Sequence, residues 1–135
     1  MITNRSLRTA LSATLAGVMF LAGSGTAFAA TDTRNFTVNF KYRLTSGKWD
    51  QAAGTLAYSM TCTSGFGETY GVTLYRNDAF GDKNMGTKSL TCKKATPTST
   101  ASWTGLKEND YYVTFTKVDN GVAIVGSGTL KFPKA

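Results

Sequence analysis

Phe36-Thr37-Val38-Asn39-Phe40-Lys41-Tyr42-Arg43-Leu44 alternates apolar and polar side chains over nine residues without a break. Successive side chains of a strand point to opposite faces, so a strict period of two predicts a half-buried β-strand. Toward the C-terminus, Leu56, Tyr58, Met60 and Cys62 repeat the pattern, and Val72 and Leu74 carry it through the run from Thr69 to Asn77. Thr87 to Cys92 and Ala101 to Thr104 alternate more weakly, whereas Tyr111-x-Val113-x-Phe115 and the run from Val122 to Phe132 do so strongly. Together these runs predict about seven strands. Between residue 30 and the C-terminus no window carries helical periodicity, and threonine, which suits a pleated surface, recurs between the apolar positions. Ser46-Gly47, Ser64-Gly65, Asn77-Asp78, Gly81-Asp82, Pro97 and Gly105 supply turn chemistry, and Asp119-Asn120-Gly121 between two strong strands reads as a hairpin. The expectation is an all-β chain: a single antiparallel β-sandwich, with a small closed β-barrel as the alternative.

If consecutive strands run antiparallel, their connections alternate between the two ends of the domain. Cys62 and Cys92 then arrive at the same end, together with Phe66 and Lys93-Lys94. Trp49, Phe80 and the connection around Lys107 to Asp110 arrive at the other. The two cysteines stand thirty positions apart, too far for a Cys-x-x-Cys redox pair, and predict one structural disulfide. Closing a loop of that length contributes about 3 to 4 kcal/mol in the chain-entropy model.

Upstream of the strands, Arg5 and Arg8 precede an uncharged run from Thr9 to Thr31, and Ala27-Phe28-Ala29 places small residues before a cut. This three-part pattern predicts a secretory signal over residues 1–29, cleaved after Ala29 or Ala30, with residues 30–135 as the single mature domain. Its apolar heart, Leu11 to Ala22, is diluted by Ser12, Thr14 and Gly17, which argues against a membrane span. Cleavage removes Arg5 and Arg8, so the formal charge of +7 becomes +5. Release to the extracellular space is expected, and the signal pattern, small size, single disulfide and Thr/Gly-rich strands together resemble small proteins exported by Gram-positive bacteria, particularly actinobacteria. Lys93-Lys94 is the only adjacent basic pair, so no nucleic-acid patch is expected, nor stable membrane insertion after cleavage.

Trp103-Thr104-Gly105-Leu106-Lys107-Glu108-Asn109-Asp110-Tyr111-Tyr112-Val113 resembles the tyrosine corner of fibronectin type III and immunoglobulin-like sandwiches, where a leucine turn leads into a Tyr-x-Val strand. Leucine-to-tyrosine spacing points to Tyr112 as the corner residue, while alternation with Val113 and Phe115 points to Tyr111. The resemblance implies an immunoglobulin-like architecture and no particular chemistry.

The chain contains no histidine, which removes the commonest general base and metal ligand. Glu68 and Glu108, the two glutamates, fall on connections at opposite ends and do not make a glycosidase pair. Asp78 and Asp82 with Asn77 and Asn84 match no calcium-loop spacing, and the glycine-rich stretches lack a following helix or lysine for a phosphate. No catalytic residue, cofactor or metal is expected. Recognition by loops on a rigid scaffold remains, with Trp49, Phe66 and Phe80 as aromatic anchors in turn-rich segments. The primary expectation is a non-enzymatic binder of an extracellular protein, an enzyme inhibitor or a subunit of an exported complex, anchored by Trp49 and Phe80. The alternative is an envelope-polysaccharide binder stacking sugars on Trp49, Tyr75 and Phe80, with Lys48 and Lys83 for anionic groups. A third is a cationic antibacterial effector.

Overall fold

The structure, a computed structural model, describes residues 30–94 and 98–135. The predicted export segment, residues 1–29, and the turn expected at Pro97 lie outside these residues. The described chain is all β: β1 (Thr31–Phe40), β2 (Arg43–Thr45), β3 (Trp49–Gln51), β4 (Gly54–Ser64), β5 (Thr69–Arg76), β6 (Lys83–Thr91), β7 (Ser99–Leu106), β8 (Asn109–Thr116) and β9 (Ile124–Pro133). No helix among these residues is long and apolar enough to cross a membrane.

The opening run does not form one strand. It leaves β1 at Phe40, bends at Lys41-Tyr42 and continues as β2 in the other sheet. Phe40 is buried in one layer and Leu44 is packed against the core from the other, while Tyr42 at the crossing is exposed. Alternation survives the crossing because each side of it still needs one buried face.

The ladders nest. β1 pairs with β9, β2 and β3 with β8, β4 with β7 and β5 with β6, all antiparallel. The chain is thus a long ribbon folded back on itself, and winding it brings β9 beside β4 and β8 beside β5. Two sheets result, in the orders β1-β9-β4-β7 and β2-β8-β5-β6, with β3 on the same edge as β2. Counting β2 and β3 as one interrupted strand, this is the wound ribbon of a jelly roll. The antiparallel sandwich expected from the sequence is present, and no closed barrel forms.

Its strand order is not the immunoglobulin order. There the last two strands are neighbours in one sheet, whereas β8 and β9 lie in opposite sheets. For the same reason Asp119-Asn120-Gly121 is an arch between layers and not a hairpin. Gly121 adopts φ 82°, and Asn120 Oδ1 accepts from the Val122 amide at 3.1 Å and the Lys117 ammonium at 2.9 Å. The turn chemistry is as expected; which layer receives the next strand is decided by pairing with β1 and β4.

Between the layers, Leu56, Val72, Leu74 and Ile124 are fully buried, each contributing about 1.5 to 3 kcal/mol. Tyr58 and Tyr70 share a hydrogen bond across the core at 3.0 Å, and burial pushes both phenols up. Gly126 and Gly128 face inward on β9, where a Cβ would run into the Thr61 and Ser59 carbonyl oxygens of β4. Glycine here lets two backbones approach closely. The Cys62–Cys92 disulfide ties the sheets together at one end, with a Cα separation of 5.7 Å. Beside it Lys117, its side chain wholly buried, pairs with Glu68 at 3.1 Å and donates to the Val118 carbonyl at 2.7 Å.

Candidate functional site

The strand directions put the connections where alternation predicts. Phe66 and Lys94 share the disulfide end; the segment after Arg76 and the β7–β8 turn share the other. At this second end β5 delivers Arg76, and the chain turns through Asn77-Asp78-Ala79-Phe80-Gly81-Asp82 into β6.

Four contacts hold that loop. Arg76 Nε and Nη2 donate to the two Asp78 carboxylate oxygens at 2.7 and 2.8 Å, a bidentate pair. Asn109 Nδ2 adds a bond to Asp78 Oδ1 at 3.2 Å, and the Asn77 amide donates to the Asp110 carbonyl at 2.9 Å. At the far side the Tyr112 hydroxyl donates to Asp82 Oδ2 at 2.6 Å. The Arg76 hydrogen bonds hold the Asp78 carboxyl below its ordinary range, while the Asp82 acceptor pushes the Tyr112 phenol up to about 12. Both aspartates are therefore engaged within the protein. Asn84 Oδ1 is likewise taken by the Gly86 amide at 2.7 Å.

Phe80 projects from the tip of this braced loop with its side chain fully exposed, 104% of its reference area. Exposed Lys83 follows at the start of β6. On the adjoining outer face Tyr75 and Tyr112 stack on each other, centroids 5.1 Å apart and planes 15° from parallel. The structure thus brings Phe80, Lys83, Tyr75 and Tyr112 together. Sequence reasoning missed Tyr112 and Asp82 as members of this group; the stacked pair follows from the Tyr75–Tyr112 register of β5 and β8, which no local pattern encodes.

Trp49 does not belong to it. The residue pairs with Tyr111 in β3, is buried, and stacks on Phe132 with centroids 5.7 Å apart. Its Nε1 donates to Gln51 Oε1 at 2.9 Å. The expected surface anchor is a core residue, because β3 adds to the β8 edge and turns the indole inward. Exposed Lys48 goes with it, on the side of the sheet opposite β6, roughly 14 Å across at three strand spacings. Phe66 is half-exposed at the disulfide end, with the Lys94 ammonium 5.2 Å from its ring.

Of the two adjacent tyrosines, Tyr111 turns its hydroxyl back onto the preceding turn, donating to the Lys107 carbonyl at 2.6 Å. Among the described residues no group of three or more His, Cys, Asp or Glu side chains gathers closely enough to hold a metal ion.

No family model and no curated protein matches the chain. Among solved structures it is similar to a chain described under Bacillus endospore appendages that form a novel family of disulfide-linked pili, with a TM-score of 0.45 and 12% identity, over 85% of this chain and 98% of that one.

Proposed function

We propose that this is an exported, non-enzymatic binding protein that engages an extracellular protein through the loop end carrying Phe80. The observation that carries the reading is a fully exposed phenylalanine on a loop braced by Arg76, Asp78, Asn109 and Tyr112. Exposing a large apolar ring to water is unfavourable, and holding it rigid lowers the ordering cost of burying it in a partner. Export is supported by the signal-like N-terminal pattern and by the disulfide, which suits an oxidising compartment. A non-catalytic role is supported by the absence of histidine from the sequence.

The sugar-binding alternative is weaker here, because Tyr75 and Tyr112 cover each other's inner ring faces and leave Phe80 as the free platform. Native affinity capture from the producer's culture fluid tests the reading. Wild type is expected to retain a stoichiometric protein that Phe80→Ala binds at least thirtyfold more weakly, as for an anchor contributing about 2 kcal/mol. Equal retention by both forms overturns it. Retention on cell-wall polysaccharide, lost in Phe80→Ala, assigns the loop to carbohydrate instead.

A further inference from the structure

The two long sides of the sandwich differ. Where β6 passes β7, Trp103 Nε1 donates to the Gly86 carbonyl at 3.2 Å and the Ser99 hydroxyl donates to the Thr91 carbonyl, so that side is stitched. Where β1 passes β2 and β3, one side-chain hydrogen bond crosses among the described residues, from Arg34 Nη1 to the Lys48 carbonyl at 3.1 Å, and beyond it Gln51 and Ala52 bridge to Lys134 and Pro133 at the end of β9. Inside the Arg34 bridge a cleft of about 240 Å³ opens toward the core, lined by Phe36, Leu44, Val113, Phe115 and Leu130. It continues past Phe36, Gly47 and Leu130 into a depression of about 290 Å³ that reaches Trp49 and is rimmed by Arg34 and Lys48.

Both ends of this slot are closed. Lys41 and Tyr42 join β1 to β2 at one, and the Arg34 bridge spans the other. A through-running strand from another chain would have to break that bridge, and it would meet an edge interrupted at Ser46 to Lys48. The slot suits a compact ligand instead.

The rim decides the ligand's charge. Arg34 and Lys48 are exposed, and neither makes an ion pair among the described residues. Both line the second hollow, whereas no carboxylate lines either one, Asp32 and Asp50 included. An apolar slot with a few convergent polar groups is the usual form of a small-molecule site. We propose that this cleft binds a small amphipathic carboxylate, its apolar body against Phe36, Leu44 and Phe115 and its anionic head between Arg34 and Lys48.

Titration calorimetry with octanoate tests the proposal, with octylamine as the charge-reversed control. Octanoate is expected to bind saturably below about 1 mM, at the weak end of small-ligand affinity, and to shift the emission of Trp49 beneath the rim. Octylamine is expected not to bind. Arg34→Gln should weaken octanoate about fivefold, as for a solvent-exposed charge contact. Gly47→Phe should abolish binding: Gly47 lines both hollows, so a bulky side chain there narrows the passage between them, and its Cβ would meet nothing within 4 Å, so it is accommodated without a clash. Thermal melts of both variants establish that they are folded. Absence of saturable octanoate binding, equal binding of octylamine, or unchanged affinity in both folded variants overturns the proposal.

Discussion

Between Lys48 and Asp50, Trp49 has the local sequence of a surface residue, yet it is 5% exposed and carries a buried hydrogen bond to Gln51. Phe80 stands before a glycine in an equally turn-rich stretch and is wholly exposed. Nothing within three residues of either distinguishes them; the difference is that Trp49 pairs with Tyr111 on β8, a contact sixty-two positions away. Truncation separates the two roles. Trp49→Ala leaves a large void against Phe132 and should cost about 3 to 5 kcal/mol in urea unfolding, whereas Phe80→Ala should stay within about 0.5 kcal/mol of wild type. A destabilised Phe80→Ala together with a neutral Trp49→Ala would reverse the assignment of core and surface. Tyr111→Phe removes the bond to the Lys107 carbonyl and should cost about 1 kcal/mol, while Tyr112→Phe leaves that bond in place. Local sequence leaves open which of the two tyrosines turns inward; the Tyr111 ring fills the interior while Tyr112 stacks outside on Tyr75.

Strand periodicity made most elements legible, since each strand buries one face and the alternation of Val72-x-Leu74 or Tyr111-x-Val113-x-Phe115 is a direct consequence. What periodicity does not carry is which layer a strand joins. The run from Phe36 to Leu44 keeps its alternation while crossing between sheets, and Asp119-Asn120-Gly121 has the same turn chemistry whether it closes a hairpin or an arch. Those choices rest on non-local ladders such as β9 against β4, where Gly126 and Gly128 permit the close approach. Gly128→Ala drives a methyl group into the Ser59 carbonyl and toward the Phe36 ring tip, 2.6 Å from the added Cβ. It should cost about 2 to 3 kcal/mol, as overpacking between constrained backbones does. The disulfide works at the same scale: it joins β4 of one sheet to the chain just past β6 of the other. Replacing both cysteines by alanine should lower stability by about 3 to 4 kcal/mol, and dithiothreitol should reproduce that loss in wild type but have no effect on the double variant.

Across the whole molecule, charge networks brace the two ends, and their titration fixes the pH range in which the sandwich is most stable. Asn120 and Lys117 hold the Glu68 carboxyl below its ordinary 4.5 at the disulfide end, and Arg76 holds Asp78 below its ordinary 3.8 at the loop end. For a depressed carboxyl the unfolded chain takes up the proton first. The stabilisation is therefore complete above the unfolded value and is lost as pH falls through the lower folded one. At the alkaline side the sign reverses. Tyr112, held up by Asp82 at about 12, and the phenols of Tyr58, Tyr70 and Tyr111, raised chiefly by burial, stay protonated in the fold after the unfolded chain ionises near 10.0. Stability accordingly declines as pH rises above that value. The melting temperature should form a plateau between roughly pH 5 and pH 9 and fall on both sides. Glu68→Gln should flatten part of the acid limb, because the amide cannot titrate but still meets Asn120 and Lys117. Tyr112→Phe should remove a tyrosine titrating near 12 from the phenolate absorbance curve. Circular dichroism melts across this range check both arms, and an acid limb unchanged in Glu68→Gln would place the stabilising carboxylates elsewhere in the molecule.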